Sequence, residues 1–126
     1  MVLSLLFLFT SFFQQNDWVL YHQDKKVEIY YTSRVCNDKV YDFSFEYYFI
    51  KIKNKTDRTV IINFFKGLRS DEENKIAFVL KPLEIKTGSC KYNPIDLKIF
   101  KSENSPDSRR KIRKFNLNKI EVIEVN

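Results

Sequence analysis

The sequence is poor in the residues that build most catalytic and metal sites. It holds one histidine, two cysteines and one methionine among its 126 residues. A Cys/His zinc site needs four such ligands, so three residues exclude it. Ser–His–Asp or Cys–His catalysis is excluded as well, unless His22 itself serves as the base. We therefore expect that the chain needs no cofactor and is not an enzyme.

Glycine and proline are scarce too, with two and three copies. Turns that need a positive φ usually contain glycine, so we expect Asn and Asp to take that role here. Hydrophobic residues make up 44% of the chain and aromatic residues 16%. This composition is sufficient for the core of one small domain and excludes disorder throughout the chain.

The N-terminus is typical of an export signal. Val2 to Phe13 form a 12-residue apolar run that only Ser and Thr interrupt. The run is too short for a transmembrane helix, which needs about 20 residues, and it suits a signal peptide. We expect residues 1–15 to be a signal peptide and residues 16–126 to be the mature domain, without a transmembrane span. An N-terminal core strand of a cytoplasmic protein and a retained membrane anchor are the alternatives.

Cys36 and Cys90 are the only cysteines of the chain. In an exported protein an even number of cysteines indicates disulfides, and two cysteines allow a single pairing. We expect a Cys36–Cys90 bridge, which contributes about 4 kcal/mol in the chain-entropy model. Two separate buried thiols are the alternative. A thioredoxin-like redox role is not expected, because the chain has no C-x-x-C sequence.

From Trp18 onwards apolar and polar residues alternate with a period of two, which is typical of half-buried strands. The predicted strands are Trp18–His22, Lys26–Tyr31, Phe43–Lys53, Val60–Phe64, Ile76–Leu80, Leu83–Thr87, Ile95–Ile99 and Ile112–Val125. The polar stretch Thr32–Asp42 is predicted to be a loop. The apolar side changes near Tyr47–Phe49, which indicates a bulge, and again near Asn118–Lys119.

We find no amphipathic helix in the pattern. The expected fold is all-β, an antiparallel immunoglobulin-like β-sandwich of about seven or eight strands after the N-terminal signal peptide. A small β-barrel is the alternative.

Three stretches resemble small exported immunoglobulin-like β-sandwich proteins of unknown function from Bacteroidetes-type bacteria. They are Asn54–Val60, Leu80–Cys90 and Lys114–Val122. The middle stretch is similar to an L-x-P-G-E … G-x-C strand–turn–strand pattern, with Leu83 at the usual glycine position. The resemblance implies a β-sandwich and export, and it supplies no catalytic residue.

Five of the six residues from 109 to 114 are basic, and the formal net charge of the chain is +6. Such a patch attracts anionic groups with a salt-dependent affinity. The candidate contacts to an anionic ligand are Arg109, Arg110, Lys111, Arg113 and Lys114. We expect an anionic envelope glycan or lipid rather than nucleic acid, because nucleic-acid sites usually contain several neighbouring aromatic residues on which the bases stack. The alternative is a solvated loop and an edge strand whose charges discourage aggregation.

Three other polar features do not predict a functional site. His22 lies near Asp24 in sequence and is best explained as a surface or strand-edge residue. The acidic run Asp71–Glu73 lacks the spacing of a calcium loop, so we predict no metal site. Asn54 opens the glycosylation sequence Asn-Lys-Thr, which matters only in a eukaryotic secretory pathway.

The sequence therefore predicts a non-enzymatic module that acts by surface contacts in the periplasm, at the cell surface or outside the cell. Its partner is unknown; an anionic envelope glycan or lipid and another envelope protein are the candidates.

Overall fold

The computed structural model describes residues 17–38, 40, 43–103 and 113–125. Within these ranges the chain forms eight β-strands and one 3₁₀ turn at Glu72–Asn74. The strands are β1 (Val19–Gln23), β2 (Val27–Asp38), β3 (Phe43–Asn54), β4 (Val60–Lys66), β5 (Lys75–Leu80), β6 (Ile85–Thr87), β7 (Lys98–Glu103) and β8 (Leu117–Glu124).

Two of the sequence predictions fall outside the described residues. They are the signal peptide at residues 1–15 and the candidate contacts Arg109, Arg110 and Lys111. In the part of the chain that is described, no helix is long and apolar enough to cross a membrane.

The strands form two antiparallel sheets. The first sheet has the order β1–β2–β3, and both β6 and β7 pair with the other edge of β3. The second sheet has the order β5–β4–β8. Buried residues of both sheets form one core, which is the arrangement of a β-sandwich. The prediction of an all-β fold with antiparallel sheets is confirmed.

The core forms because alternate residues of each strand point to the same side of the sheet. Ile29 and Ile52 of the first sheet and Ile62 and Phe64 of the second are completely buried. Burying an aliphatic or aromatic side chain of this size contributes about 1.5–3 kcal/mol. The buried core consists of Val27, Ile29, Ile50, Ile52, Val60, Ile62, Phe64, Phe78, Leu80, Leu97 and Leu117.

Strand β2 is longer than the sequence predicts. The predicted loop from Thr32 is wrong up to Asp38, because β2 pairs with β3 without interruption from Val27 to Asp38. The prediction relied on side-chain polarity. Pairing with the long neighbour β3 satisfies the backbone N–H and C=O groups of this stretch regardless of its side chains.

The bulge predicted near Tyr47–Phe49 is wrong for the pairing of β3 with β2, which has no register shift. A shift lies on the other edge of β3, between Glu46 and Tyr47 on the ladder with β7. The apolar pattern changes side because β3 carries apolar residues on both faces: Phe45 and Tyr47 contact Phe100, whereas the alternate residues face the core.

The change of side near Asn118–Lys119 is confirmed. Lys119 has a φ of +54°, and the register between β4 and β8 shifts next to it. The expectation that Asn and Asp take the positive-φ positions is wrong: among the described residues other than glycine, Leu83 and Lys119 have positive φ.

Leu83 lies in the turn that joins β5 to β6. The N–H of Glu84 donates to the carbonyl of Lys81 at 3.0 Å, Pro82 is the second residue, and Leu83, the third, has a φ of +60°. These are the features of a type II turn, whose third residue needs a positive φ and is usually glycine. Leucine therefore occupies a position where its Cβ is unfavourable.

Asn54 connects the two sheets from a completely buried position. Its Nδ2 donates to the carbonyls of Arg58 at 2.7 Å and Lys81 at 2.9 Å. Its Oδ1 accepts from the N–H and the hydroxyl of Thr56 at 2.9 and 2.8 Å. The amide thus joins the β3–β4 connection to the β5–β6 turn, and in the folded protein its nitrogen is inaccessible to glycosylation.

We expect Leu83→Gly to stabilise the protein by about 0.5–1 kcal/mol, because glycine removes the strain of the positive φ and loses part of that gain as chain entropy. Leu83 is 62% exposed, so little burial is lost. Urea unfolding measures the change. The control Leu68→Gly changes an exposed leucine without positive φ and should destabilise slightly. A stability of Leu83→Gly at or below that of the wild type would contradict the turn.

We expect Asn54→Ala to lower the free energy of unfolding by about 2–4 kcal/mol, because it removes a completely buried amide that bonds to the carbonyls of Arg58, Leu80 and Lys81. The matched control is Asn63→Ala. Asn63 lies on β4 facing away from the core, and no side-chain hydrogen bond of it is found among the described residues; a change within about 0.5 kcal/mol is expected there. Equal small losses in both variants would refute the role of Asn54.

Candidate functional site

The predicted disulfide is present: Cys36 of β2 and Cys90 are bridged, with 5.5 Å between their Cα atoms. Cys90 belongs to the segment that joins β6 to β7. Both ends of this segment are bonded to one residue of β3, since Gly88 donates to the carbonyl of Ile50 and Ile50 donates to that of Leu97, each at 2.9 Å. The segment is therefore fixed at its base on β3 and at the bridge on β2.

Gly88 is required where these two ends meet. A Cβ built on Gly88 would lie 1.9 Å from the carbonyl oxygen of Leu97. No side chain fits at that distance, so the close approach of the segment ends depends on glycine. The approach places the start of β7 beside the middle of β3.

A groove of about 840 Å³ lies beside β7, and residues from both sheets line it. Tyr47 of β3 and the residues from Lys98 to Phe100 of β7 line it from the first sheet. The residues from Lys66 to Arg69, at the end of β4, and Asn116, just before β8, line it from the second. Its volume is within the range of ligand pockets, about 300–1,000 Å³.

The groove is strongly basic. Among the described residues that line it, five side chains are basic and one is acidic: Lys66, Arg69, Lys98, Arg113 and Lys114, with Asp96 as the acid. A concave surface with charges mainly of one sign concentrates ligands of the opposite sign. The lining therefore suits an anionic ligand.

Lys66 has a structural role in this set. Its ammonium donates to the Asp96 carboxylate at 2.8 Å, to the carbonyl of Lys98 at 3.1 Å and to that of Asp96 at 3.4 Å. Its side chain is only 14% exposed, and these contacts match the three donors of an ammonium group. Lys66 therefore fastens β4 to the start of β7 and has no free donor for a ligand.

Lys98 and Arg113 are placed differently. The ammonium of Lys98 lies 5.0 Å from the ring centre of Tyr47, and the guanidinium of Arg113 lies 5.7 Å from that of Phe100. In the described parts of the chain, neither side chain forms a salt bridge. A cation–π contact orients a cation without neutralising its charge, so both groups can still bind an anion.

The end of the basic stretch is anchored to the first sheet. The N–H of Arg113 donates to the carbonyl of Lys101 at 3.2 Å, and its own carbonyl accepts from the hydroxyl of Tyr48. Two residues later Phe115 stacks on Tyr31, with 4.2 Å between the ring centres. These contacts fix the backbone of residues 113–115, so the Arg113 side chain starts from a defined position.

Two of the five predicted anion contacts, Arg113 and Lys114, line the groove. Sequence reasoning missed Arg69 and Lys98, which lie far from the basic stretch along the chain. The alternation of Lys98 with Leu97 and Ile99 marked it as a strand residue facing away from the core. Nothing in the pattern indicated that β7 would meet the chain at Arg113.

His22 is bonded to Asp24, with 2.8 Å between its Nε2 and Oδ2. The other carboxylate oxygen of Asp24 accepts the N–H groups of Lys26 and Val27 at 2.7 and 2.9 Å, which closes the β1–β2 turn. Partial burial acts to raise the pKa of Asp24, but the hydrogen bonds from Val27, His22 and Lys26 outweigh it and lower the pKa below its ordinary value. The pair thus stabilises a turn.

A second exposed pair fastens the chain just before β1. Arg34 of β2 donates to both carboxylate oxygens of Asp17, at 3.0 and 2.8 Å. The hydrogen bond from Arg34 lowers the pKa of Asp17 to about 2. The pair therefore stays ionised at all but strongly acidic pH.

The acidic run Asp71–Glu73 is exposed and overlaps the 3₁₀ turn. Within the described ranges, no group of three or more His, Cys, Asp or Glu side chains is arranged to hold a metal ion.

Comparison with known proteins finds no matching family model, no matching curated protein and no matching solved structure. The resemblance to exported β-sandwich proteins therefore stays a prediction.

Proposed function

We propose that the chain is an exported, non-enzymatic β-sandwich module that acts by surface contacts in the cell envelope or outside the cell. The observation that carries the proposal is the Cys36–Cys90 disulfide. Structural disulfides persist in oxidising compartments and are rare in the cytosol. The apolar run Val2–Phe13 has the length of a signal peptide and supports the same compartment.

The immunoglobulin-like identity of the β-sandwich stays a prediction. Two antiparallel sheets around a common core support it. One sheet of an immunoglobulin domain has the strand order A–B–E–D, so its second strand pairs with its fifth. Here the second strand pairs with the third, in the order β1–β2–β3. The sandwich that we propose therefore shares its layers, and not this strand order, with immunoglobulin domains.

The surroundings of the single histidine support a non-enzymatic role. His22 bonds to Asp24, which in turn closes the β1–β2 turn through the N–H groups of Lys26 and Val27. A catalytic base needs a nucleophile or substrate proton within hydrogen-bond reach. The described polar partner of His22 is instead the carboxylate of the turn.

The second candidate function is binding of an anionic glycan or lipid through the basic stretch from Arg109 to Lys114. One observation favours it: Arg113 and Lys114 lie at a groove that Arg69 and Lys98 also line. The structure thus adds basic residues from other segments to those of the stretch. A transient partner protein of the envelope remains compatible with the first candidate.

Intact mass spectrometry of the native protein from its host tests export. We expect a mass that lacks residues 1–15 and is two hydrogens below that of the reduced chain, because the signal is removed and the cystine forms. Iodoacetamide should add two groups only after reduction. A full-length mass of 126 residues with two thiols that react before reduction would refute export.

A further inference from the structure

We propose that the basic groove binds a linear acidic glycan that carries carboxylate or sulfate groups, with Arg69 and Lys98 as contacts beside Arg113 and Lys114. The proposal rests on the anionic-ligand function and names its site, its ligand class and two further residues.

The charges of the four proposed contacts are not neutralised by salt bridges within the described residues. The carboxylate of Asp96, in contrast, is bonded to Lys66. Charge-assisted hydrogen bonds to carboxylate, sulfate or phosphate are the strong polar contacts that such cations form. The groove therefore presents four cations to a ligand.

The size of the groove favours a chain of linked units over a single small ion. Its volume of about 840 Å³ lies near the upper end of the range of ligand pockets, about 300–1,000 Å³. One sulfate or phosphate would occupy a small part of it. Arg69 approaches from the second sheet and Lys98 from the first, so a ligand with several charges contacts both walls at once.

The lining also suits sugar rings. Leu68 is 82% exposed and, with Ile99, provides apolar surface beside the cations. Sugars present C–H groups on their ring faces and polar groups at the ring edges. An acidic sugar can therefore pack against the apolar wall while its charged group reaches Lys98 or Arg113.

Two other anionic partners fit less well. A bilayer surface is flat on the scale of this protein, whereas Lys98 is half-buried in a concave groove. Single-stranded nucleic acid binds by stacking bases on open aromatic faces. The rings of Tyr47 and Phe100 each have a cation over a face instead.

The experiment measures binding of size-defined oligogalacturonate and of dextran sulfate at low salt, with neutral dextran as the reference. The test variant is Arg69→Gln/Lys98→Gln. The matched control is Lys81→Gln/Lys91→Gln, which removes the same charge at exposed positions outside the groove. Thermal melting checks that both variants fold, and Arg69→Lys/Lys98→Arg tests rescue by the same charge.

We expect the wild type to bind at least one acidic glycan and not neutral dextran, with an affinity that falls as salt rises. The test variant should lose at least tenfold in affinity, the control less than threefold, and the charge-preserving variant should recover most of the loss. Binding of oligogalacturonate alone assigns carboxylate as the recognised group, and binding of dextran sulfate alone assigns sulfate.

Equal losses in the test and control variants would overturn the proposal, because they would show attraction by net charge alone.

A further variant separates the role of the groove from that of the basic stretch. It carries Gln in place of Arg109, Arg110, Lys111, Arg113 and Lys114. If it loses binding while Arg69→Gln/Lys98→Gln keeps it, the groove is refuted and the function of the basic stretch stands. Absence of wild-type binding to either glycan refutes the proposal, and binding to phosphatidylglycerol vesicles in that case would retain a lipid function for the stretch. Preferred binding to an oligonucleotide would also refute it.

Discussion

The hydrogen bonding of strand β3 is the constraint on which the rest of the molecule depends. One edge of β3 pairs with β2 from end to end, and the other is shared by β6 and β7. Between these two short strands the chain leaves the sheet and returns at a single residue, Ile50, whose N–H and C=O bond to Leu97 and Gly88. The excursion is then held to β2 by the Cys36–Cys90 disulfide. The position of β7 follows from these contacts.

The groove follows from the position of β7. Lys98 and Phe100 belong to that strand, and Lys66 of β4 bonds to Asp96 and Lys98 at its start. The second sheet is also joined to the first by the hydroxyl of Tyr21, which donates to the carbonyl of Leu117 and accepts from its N–H, both at 3.0 Å. These links set the separation of the two walls, so the basic side chains project from a framework that packing and hydrogen bonds already fix.

The period-two pattern predicted the fold class because burial of alternate residues leaves a direct trace in the sequence. It also predicted the side change at Lys119, where the apolar residues skip one position. It failed where the backbone conformation does not depend on side-chain polarity. Strand β2 continues through a polar stretch because β3 pairs with it. Leu83 has a positive φ because the turn requires it. The cysteine count predicted the bridge, since two thiols have one possible pairing.

The site was only partly predictable for a related reason. A run such as Arg113–Lys114 is visible in the sequence because its charges are neighbours. Arg69 follows β4 and Lys98 lies in β7, so both come near the stretch only in the folded chain. A single cation in the sequence carries no signal of its spatial neighbours. The structural role of Lys66 was likewise invisible, because it depends on the carbonyl of Lys98 and the carboxylate of Asp96 meeting one ammonium group.

The most direct test of the account is an NMR titration of the ¹⁵N-labelled protein with oligogalacturonate or a sulfated oligosaccharide at low salt. The account predicts that the largest amide shift changes fall on Gly67, Arg69, Lys98, Phe100 and Asn116, on both walls of the groove. Changes centred on the opposite part of the first sheet, around Trp18 and Lys51, with the groove amides unmoved, would contradict it.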